Sequence, residues 1–222
     1  IDANVGLVYH LESGRDLFAK NDTTAVPIAS LTKLISALVA RDMFDPGEVV
    51  TVASSAVRVD RVRQTLYRDE RIRAGDLITM ILVESSNDAA YALADHARTR
   101  GFDFVARMND KAHALGMSGC VFRDPAGLDD TGTCTAHDLV RVIRSALRNS
   151  LDLWDTLALA GATVHSVDGA IVHTITTTNE LLGQIPGIVG GKTGNTDGAL
   201  GCMILVVKIS GGRDTLISIV LG

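Results

Sequence analysis

The sequence predicts an α+β fold of the α/β-sandwich type, in which the N- and C-terminal segments share one antiparallel sheet flanked by helices and the centre forms a mainly helical lobe. Three observations carry this: an alternating hairpin pattern at the start, runs of helical period through the middle, and two further hairpin patterns in the last third. At 222 residues the chain is read as a single domain. Residues 1–45 with 150–222 are assigned to a sheet lobe and 46–149 to a helical lobe, and the groove between lobes is the natural site.

In order, Val5 to Leu11 and Arg15 to Phe18 read as strands around the turn residues Glu12, Ser13 and Gly14. From Pro27 to Phe44 the residues Leu31, Leu34, Ile35, Leu38 and Val39 recur at helical spacing, and Asp45-Pro46-Gly47 stops the run. Helices follow over Asp76 to Val83, Ala89 to Ala97, Phe104 to Leu115 and Ala136 to Leu147, the last opened by Thr135 with Asp138 as a capping box. After a short apolar segment, Leu151 to Leu159, the strands Ala162 to Val167 and Ala170 to Thr176 flank an Asp168-Gly169 hairpin turn. Leu200 to Ile209 and Thr215 to Leu221 form a second hairpin, apolar enough to be covered on both faces.

Composition narrows the function. An apolar fraction of 46% with 21% charged residues is that of a water-soluble globular chain, and no stretch approaches the ~20 apolar residues that span a bilayer. A net charge of −5 with no basic run leaves no footprint for nucleic acid. The odd cysteine count (Cys120, Cys134, Cys202), without CxxC spacing, argues against a zinc ribbon or a disulfide framework, and leaves a Cys120–Cys134 bridge open. The six histidines, His10, His96, His113, His137, His165 and His173, lack metal-ligand spacing, so no metal and no cofactor is expected. The chain begins at Ile1 with no charged-then-apolar leader, which leaves its compartment unread.

Three short motifs carry chemistry. Ser30-Leu31-Thr32-Lys33 lies at the start of the buried helix, where a separation of three puts hydroxyl and ammonium on one face. Lys33 is the only charge between Ala25 and Ala40, so burial favours the neutral amine that can take a serine proton. Ser85-Ser86-Asn87 sits between helical patterns, where a polar loop can present a hydroxyl and an amide to a cleft, although helix capping explains it better when it stands alone. Lys192-Thr193-Gly194 precedes the apolar strand from Leu200, with a glycine where a ligand backbone can approach closely. It is not a phosphate loop, since Gly187 to Thr193 is one residue short of that spacing and leads into a strand.

Together and in this order, separated by roughly fifty and then roughly a hundred residues, SxxK, SxN and KTG resemble the signature set of penicillin-binding proteins and serine β-lactamases. The likeness is closest to the low-molecular-weight D-alanyl-D-alanine carboxypeptidases, in Pro27 to Lys33, Glu84 to Ala90 and Gly191 to Thr196, with Asp124-Pro125-Ala126-Gly127-Leu128 and Thr135 to Leu139 as connecting segments. The resemblance implies a β-lactamase/transpeptidase-like fold and an extracytoplasmic enzyme acting on peptidoglycan stem peptides ending in D-Ala-D-Ala, with β-lactams as covalent inhibitors. It implies Ser30 as nucleophile, Lys33 as base and Ser85 as proton relay with Lys192 nearby. Asn87 would hold the substrate amide, Thr193 with Lys192 the terminal carboxylate, and the N–H groups of Ser30 and Asn195 the oxyanion, with Gly194 also among the substrate-binding residues.

Two rivals remain at this point: a D,D-endopeptidase of the same family, and a silent peptidoglycan or β-lactam sensor. The deacylating ExxLN element of class A β-lactamases is missing, because Glu180, the only glutamate between SxN and KTG, is followed by Leu181-Leu182-Gly183-Gln184. Ala126 stands where many of these carboxypeptidases have histidine. The family usually continues past the equivalent of Gly222 into a carboxylate-binding arginine and a closing helix, and reaches the membrane through segments not in this sequence. A less well covered sheet edge is therefore expected here.

Overall fold

The computed structural model describes residues 1–59 and 65–222. Its elements are β1 (Val5–His10), β2 (Arg15–Lys20), β3 (Val26–Pro27), α1 (Lys33–Met43), β4 (Val49–Thr51), β5 (Arg71–Arg73), α2 (Ala74–Val83), α3 (Asn87–Thr99), α4 (Phe104–Ala114), β6 (Thr133–Cys134), α5 (Ala136–Asn149), α6 (Leu151–Thr156), β7 (Gly161–His165), β8 (Val172–Thr176), β9 (Ile188–Thr196), β10 (Leu200–Ile209) and β11 (Asp214–Leu221).

The two ends of the chain meet in one sheet. Its strand order is β2-β1-β11-β10-β9, each neighbouring pair antiparallel, and β1 runs beside β11 from Val5 opposite Leu221 to His10 opposite Leu216. The period-two pattern of β11 turns Thr215, Ile217, Ile219 and Leu221 into the core. The expectation that β10 and β11 are covered on both faces is corrected. Ile204 and Val206 are buried, whereas Met203, Leu205 and Val207 on the opposite side are half-buried, so helices cover one face more fully than the other. At the far edge lies β9, which carries Lys192-Thr193-Gly194.

Helix α1 is buried without interruption from Lys33 to Ala40. It begins later than its apolar period predicts, because Ala29 takes φ 47°, outside the helical region, and Ala29–Thr32 forms a 3₁₀ turn before the α-helix starts. In α5 the Thr135 hydroxyl accepts the Asp138 N–H at 3.0 Å. The other half of the expected capping box is not made: the shorter Asp138 carboxylate accepts from Gly119 N–H at 2.7 Å and from Arg141 at 3.2 Å.

Helix α5 packs on β1 and β11, and α1 packs on α2 and α4. Strands β7 and β8 form a separate two-stranded sheet against α2. Their connection is longer than the two-residue turn read from Asp168-Gly169, since the strands end at His165 and restart at Val172. Asp168 organises that loop by accepting from the Ser166 hydroxyl and the Ala170 N–H, at 2.6 and 3.0 Å. Cys120 and Cys134 are joined in a disulfide, and Cys202 is a buried free thiol. One continuous apolar core runs from Val5 to Leu221.

Candidate active site

The 3₁₀ turn that delays α1 is what presents Ser30. In a 3₁₀ turn, residues three apart eclipse one another, which brings Ser30 directly over Lys33. Lys33 is fully buried, and its Nζ donates to Ser30 Oγ at 2.7 Å, to Asn87 Oδ1 at 2.7 Å and to the Ala126 carbonyl at 2.9 Å. Three separate segments thereby fix one ammonium. The departure at Ala126 leaves this contact intact, because the group that meets Lys33 is a backbone carbonyl and the methyl side chain takes no part in it.

Opposite stands a second serine–lysine pair. Helix α2 ends at Val83, and Ser85 takes φ 65° to turn the chain into α3, whose N-cap Ser86 accepts the Ala89 N–H at 3.2 Å. Lys192, on β9, is 1% exposed and donates to Ser85 Oγ at 2.8 Å and to the Thr193 carbonyl at 2.9 Å. Burial lowers its pKa to about 7, so near neutral pH both its charged and its neutral forms are populated.

Strand β9 closes the site. A Cβ at Gly194 would lie 2.9 Å from the Ser30 backbone nitrogen, so glycine is what lets the edge strand approach the nucleophile's own N–H. Thr193 shares a 2.5 Å hydrogen bond with Thr178, in the loop after β8. The resulting groove, of about 960 Å³, is lined by Ser30, Ser85, Asn87, Thr193, Gly194 and Asn195, with Lys33 and Lys192 buried behind their serines. All eight residues singled out in the sequence thus come together.

Several wall residues were not anticipated. Thr65, Leu128 and Thr178 line the groove, as does Glu84, the residue just before SxN. Burial raises the Glu84 pKa to about 7; the charge of His173 opposes that and the charge of Asp88 adds to it. Its place beside Ser85 was a usable sequence signal, as was the place of Leu128 in the family-like segment from Asp124; the threonines offered none.

A hydroxyl in contact with a buried amine, faced by a second such pair and a glycine-bearing edge strand, has the parts of a serine acyl-transfer centre. The model of the family described as D-alanyl-D-alanine carboxypeptidase matches residues 1–222. The D-alanyl-D-alanine carboxypeptidase DacB2 of Mycobacterium tuberculosis is 33% identical, over 99% of this chain and 75% of its own length. A D-alanyl-D-alanine endopeptidase of Pseudomonas aeruginosa is 35% identical, over 68% of this chain and 49% of its own length. The crystal structure of penicillin-binding protein D2 from Listeria monocytogenes in its ampicillin-bound form superposes with a TM-score of 0.81 at 33% identity, covering 99% of this chain and 89% of that one.

The chain belongs to the D-alanyl-D-alanine carboxypeptidase family. Its α+β fold of penicillin-binding type and its family are those the motifs implied. It spans about half the length of most of the curated relatives it matches.

Proposed function

We propose that this domain removes the terminal D-alanine from peptidoglycan stem peptides, outside the cytoplasm, through an acyl-enzyme on Ser30. The observation that carries the reading is the Lys33 Nζ held on Ser30 Oγ at 2.7 Å while Lys192 holds Ser85 at 2.8 Å across the same groove.

Neutral Lys33 takes the Ser30 proton as Oγ attacks the carbonyl between the two D-alanines. The oxyanion that forms is held by the N–H groups of Ser30 and Asn195, each worth up to ~3 kcal/mol. Asn87 holds the substrate amide, and Thr193 with Lys192 the terminal carboxylate. Ser85 passes its proton to the departing amine and regains one from Lys192; water then hydrolyses the ester, giving its proton to the Ser85–Lys192 pair while Lys33 returns its proton to Ser30 Oγ. β-Lactams enter the same sequence, and the acyl-enzyme they form persists because the ExxLN glutamate is missing. Rapid turnover of a chromogenic cephalosporin by the purified protein would contradict that persistence.

The 35% identity to a D-alanyl-D-alanine endopeptidase supports a second reading, cleavage of cross-links by the same residues. Digesting a pentapeptide and a cross-linked muropeptide side by side separates the two: we expect faster release of D-alanine, and preferential cleavage of the cross-link would favour the endopeptidase. Among the described residues no helix is long and apolar enough to cross a membrane.

A further inference from the structure

The seven residues from Asp124 to Asp130 touch both halves of the site. Asp124 is buried, and its carboxylate accepts four backbone N–H groups: Ala126 at 2.6 Å, Gly127 at 2.7 Å, Leu128 at 2.9 Å and Asp129 at 2.7 Å. The loop is therefore held rigidly from within. Its Ala126 carbonyl meets Lys33 at 2.9 Å. At Gly127 a Cβ would fall 1.9 Å from the Ala29 carbonyl, so the loop lies hard against the residue before the nucleophile. Leu128 forms part of the groove wall.

The last residue of the loop reaches the other half. Asp130 Oδ1 accepts from the Thr196 hydroxyl, and Oδ2 accepts the Gly198 N–H at 3.0 Å. Thr196 ends β9, directly after Gly194 and Asn195. The β9–β10 ladder already pairs Leu200 with Thr196 and Gly201 with Asn195, and the Thr196 hydroxyl accepts Ala199 N–H at 3.0 Å. The turn thus closes on itself without help. What Asp130 adds is a tie between that turn and the loop seated on Ala29 and Lys33.

We propose that Asp130 is a positioning residue: it sets the separation between Ser30 and the Gly194–Asn195 segment of β9, and so the geometry in which the oxyanion is held. It touches no reacting atom. The inference rests on the acyl-transfer reading of the groove, and the experiment separates the two.

The rate of penicillin acylation, kcat and KM for a D-Ala-D-Ala peptide, and Tm are measured for the parent, Asp130→Ala, Asp130→Asn and Thr196→Val. Acylation of the parent tests the groove itself; no adduct on the parent overturns the acyl-transfer reading and this inference with it. With the parent acylated, we expect Asp130→Ala to lower the acylation rate and kcat by about 10- to 100-fold, the scale of a misplaced oxyanion donor, with KM within about twofold. Asp130→Asn should recover most of the rate, since its amide can accept from Gly198 and donate to Thr196 Oγ1. Thr196→Val removes one of the two hydrogen bonds of the tie, leaving the Gly198 N–H on Oδ2, and should lower kcat in the same direction by less, which serves if Asp130→Ala fails to fold. Unchanged acylation in Asp130→Ala, or in Thr196→Val where that variant is the one that folds, would overturn the assignment. So would losses that follow Tm with no recovery in Asp130→Asn.

Discussion

The two serine–lysine pairs that face each other across the groove are built by different means. Ser30 and Lys33 are three residues apart and are brought together by a single 3₁₀ turn. Ser85 and Lys192 are 107 residues apart and meet only because β9, at the sheet edge, passes the turn between α2 and α3. The first lysine has acceptors from its own turn, from α3 and from the Asp124 loop, whereas the second bonds one hydroxyl and its neighbour's carbonyl and has its pKa lowered to about 7. The local pair is therefore robust to movement of the sheet. The remote pair measures where the sheet edge stands.

Removing each amine separates them most strongly. Lys33→Met takes away the proton acceptor of the nucleophile and should slow penicillin acylation by about 10³- to 10⁴-fold. Lys192→Met should cost less, about 10²- to 10³-fold in kcat/KM for peptide, because Ser30 and Lys33 remain intact. A Lys192 variant more damaging than the Lys33 variant would reverse the assigned order.

The remote lysine also marks the pH dependence of stability. Lys192 binds its proton at about pH 7 when folded and near 10.5 when unfolded, so between those values the unfolded chain holds more protons and stability rises with pH. Thermal melts of the parent should show that rise, and Lys192→Met should flatten it.

The support of the local pair can be broken separately. Asp124→Asn gives up part of the four-donor bridge under the Ala126 carbonyl and should cost about 1–3 kcal/mol, lowering Tm by several degrees. Glu84→Gln is the smallest effect. Glu84 titrates at about 7 when folded against 4.5 ordinarily, so it favours the folded state fully below pH 4.5 and less as pH rises to 7. Its removal should flatten that decline between pH 4.5 and 7 in thermal melts.

The same contrast explains what could be read in the chain. Period-two strands at both ends and the 3.6 period of α1 through α5 reveal the sheet and the helices, and SxxK is visible because its partners are near neighbours. SxN and KTG could be joined to it only through family likeness, since no local rule brings Ser85 to Lys192. The 3₁₀ turn at Ala29–Thr32 was hidden under a helical apolar pattern, because the positive φ of Ala29 goes with a tertiary contact, the close approach of its carbonyl to Gly127. Nor could the role of the Asp124 to Asp130 loop be read, since a carboxylate that accepts four N–H groups looks like any loop aspartate in sequence. The Cys120–Cys134 bridge likewise depends on a meeting that spacing alone left open.

The central claim is that Ser30 is the atom source of a covalent acyl-enzyme. Intact-protein mass spectrometry after incubation with penicillin tests it directly: the parent should gain the mass of one penicillin and Ser30→Ala should gain none. An adduct that persists in folded Ser30→Ala would contradict the claim.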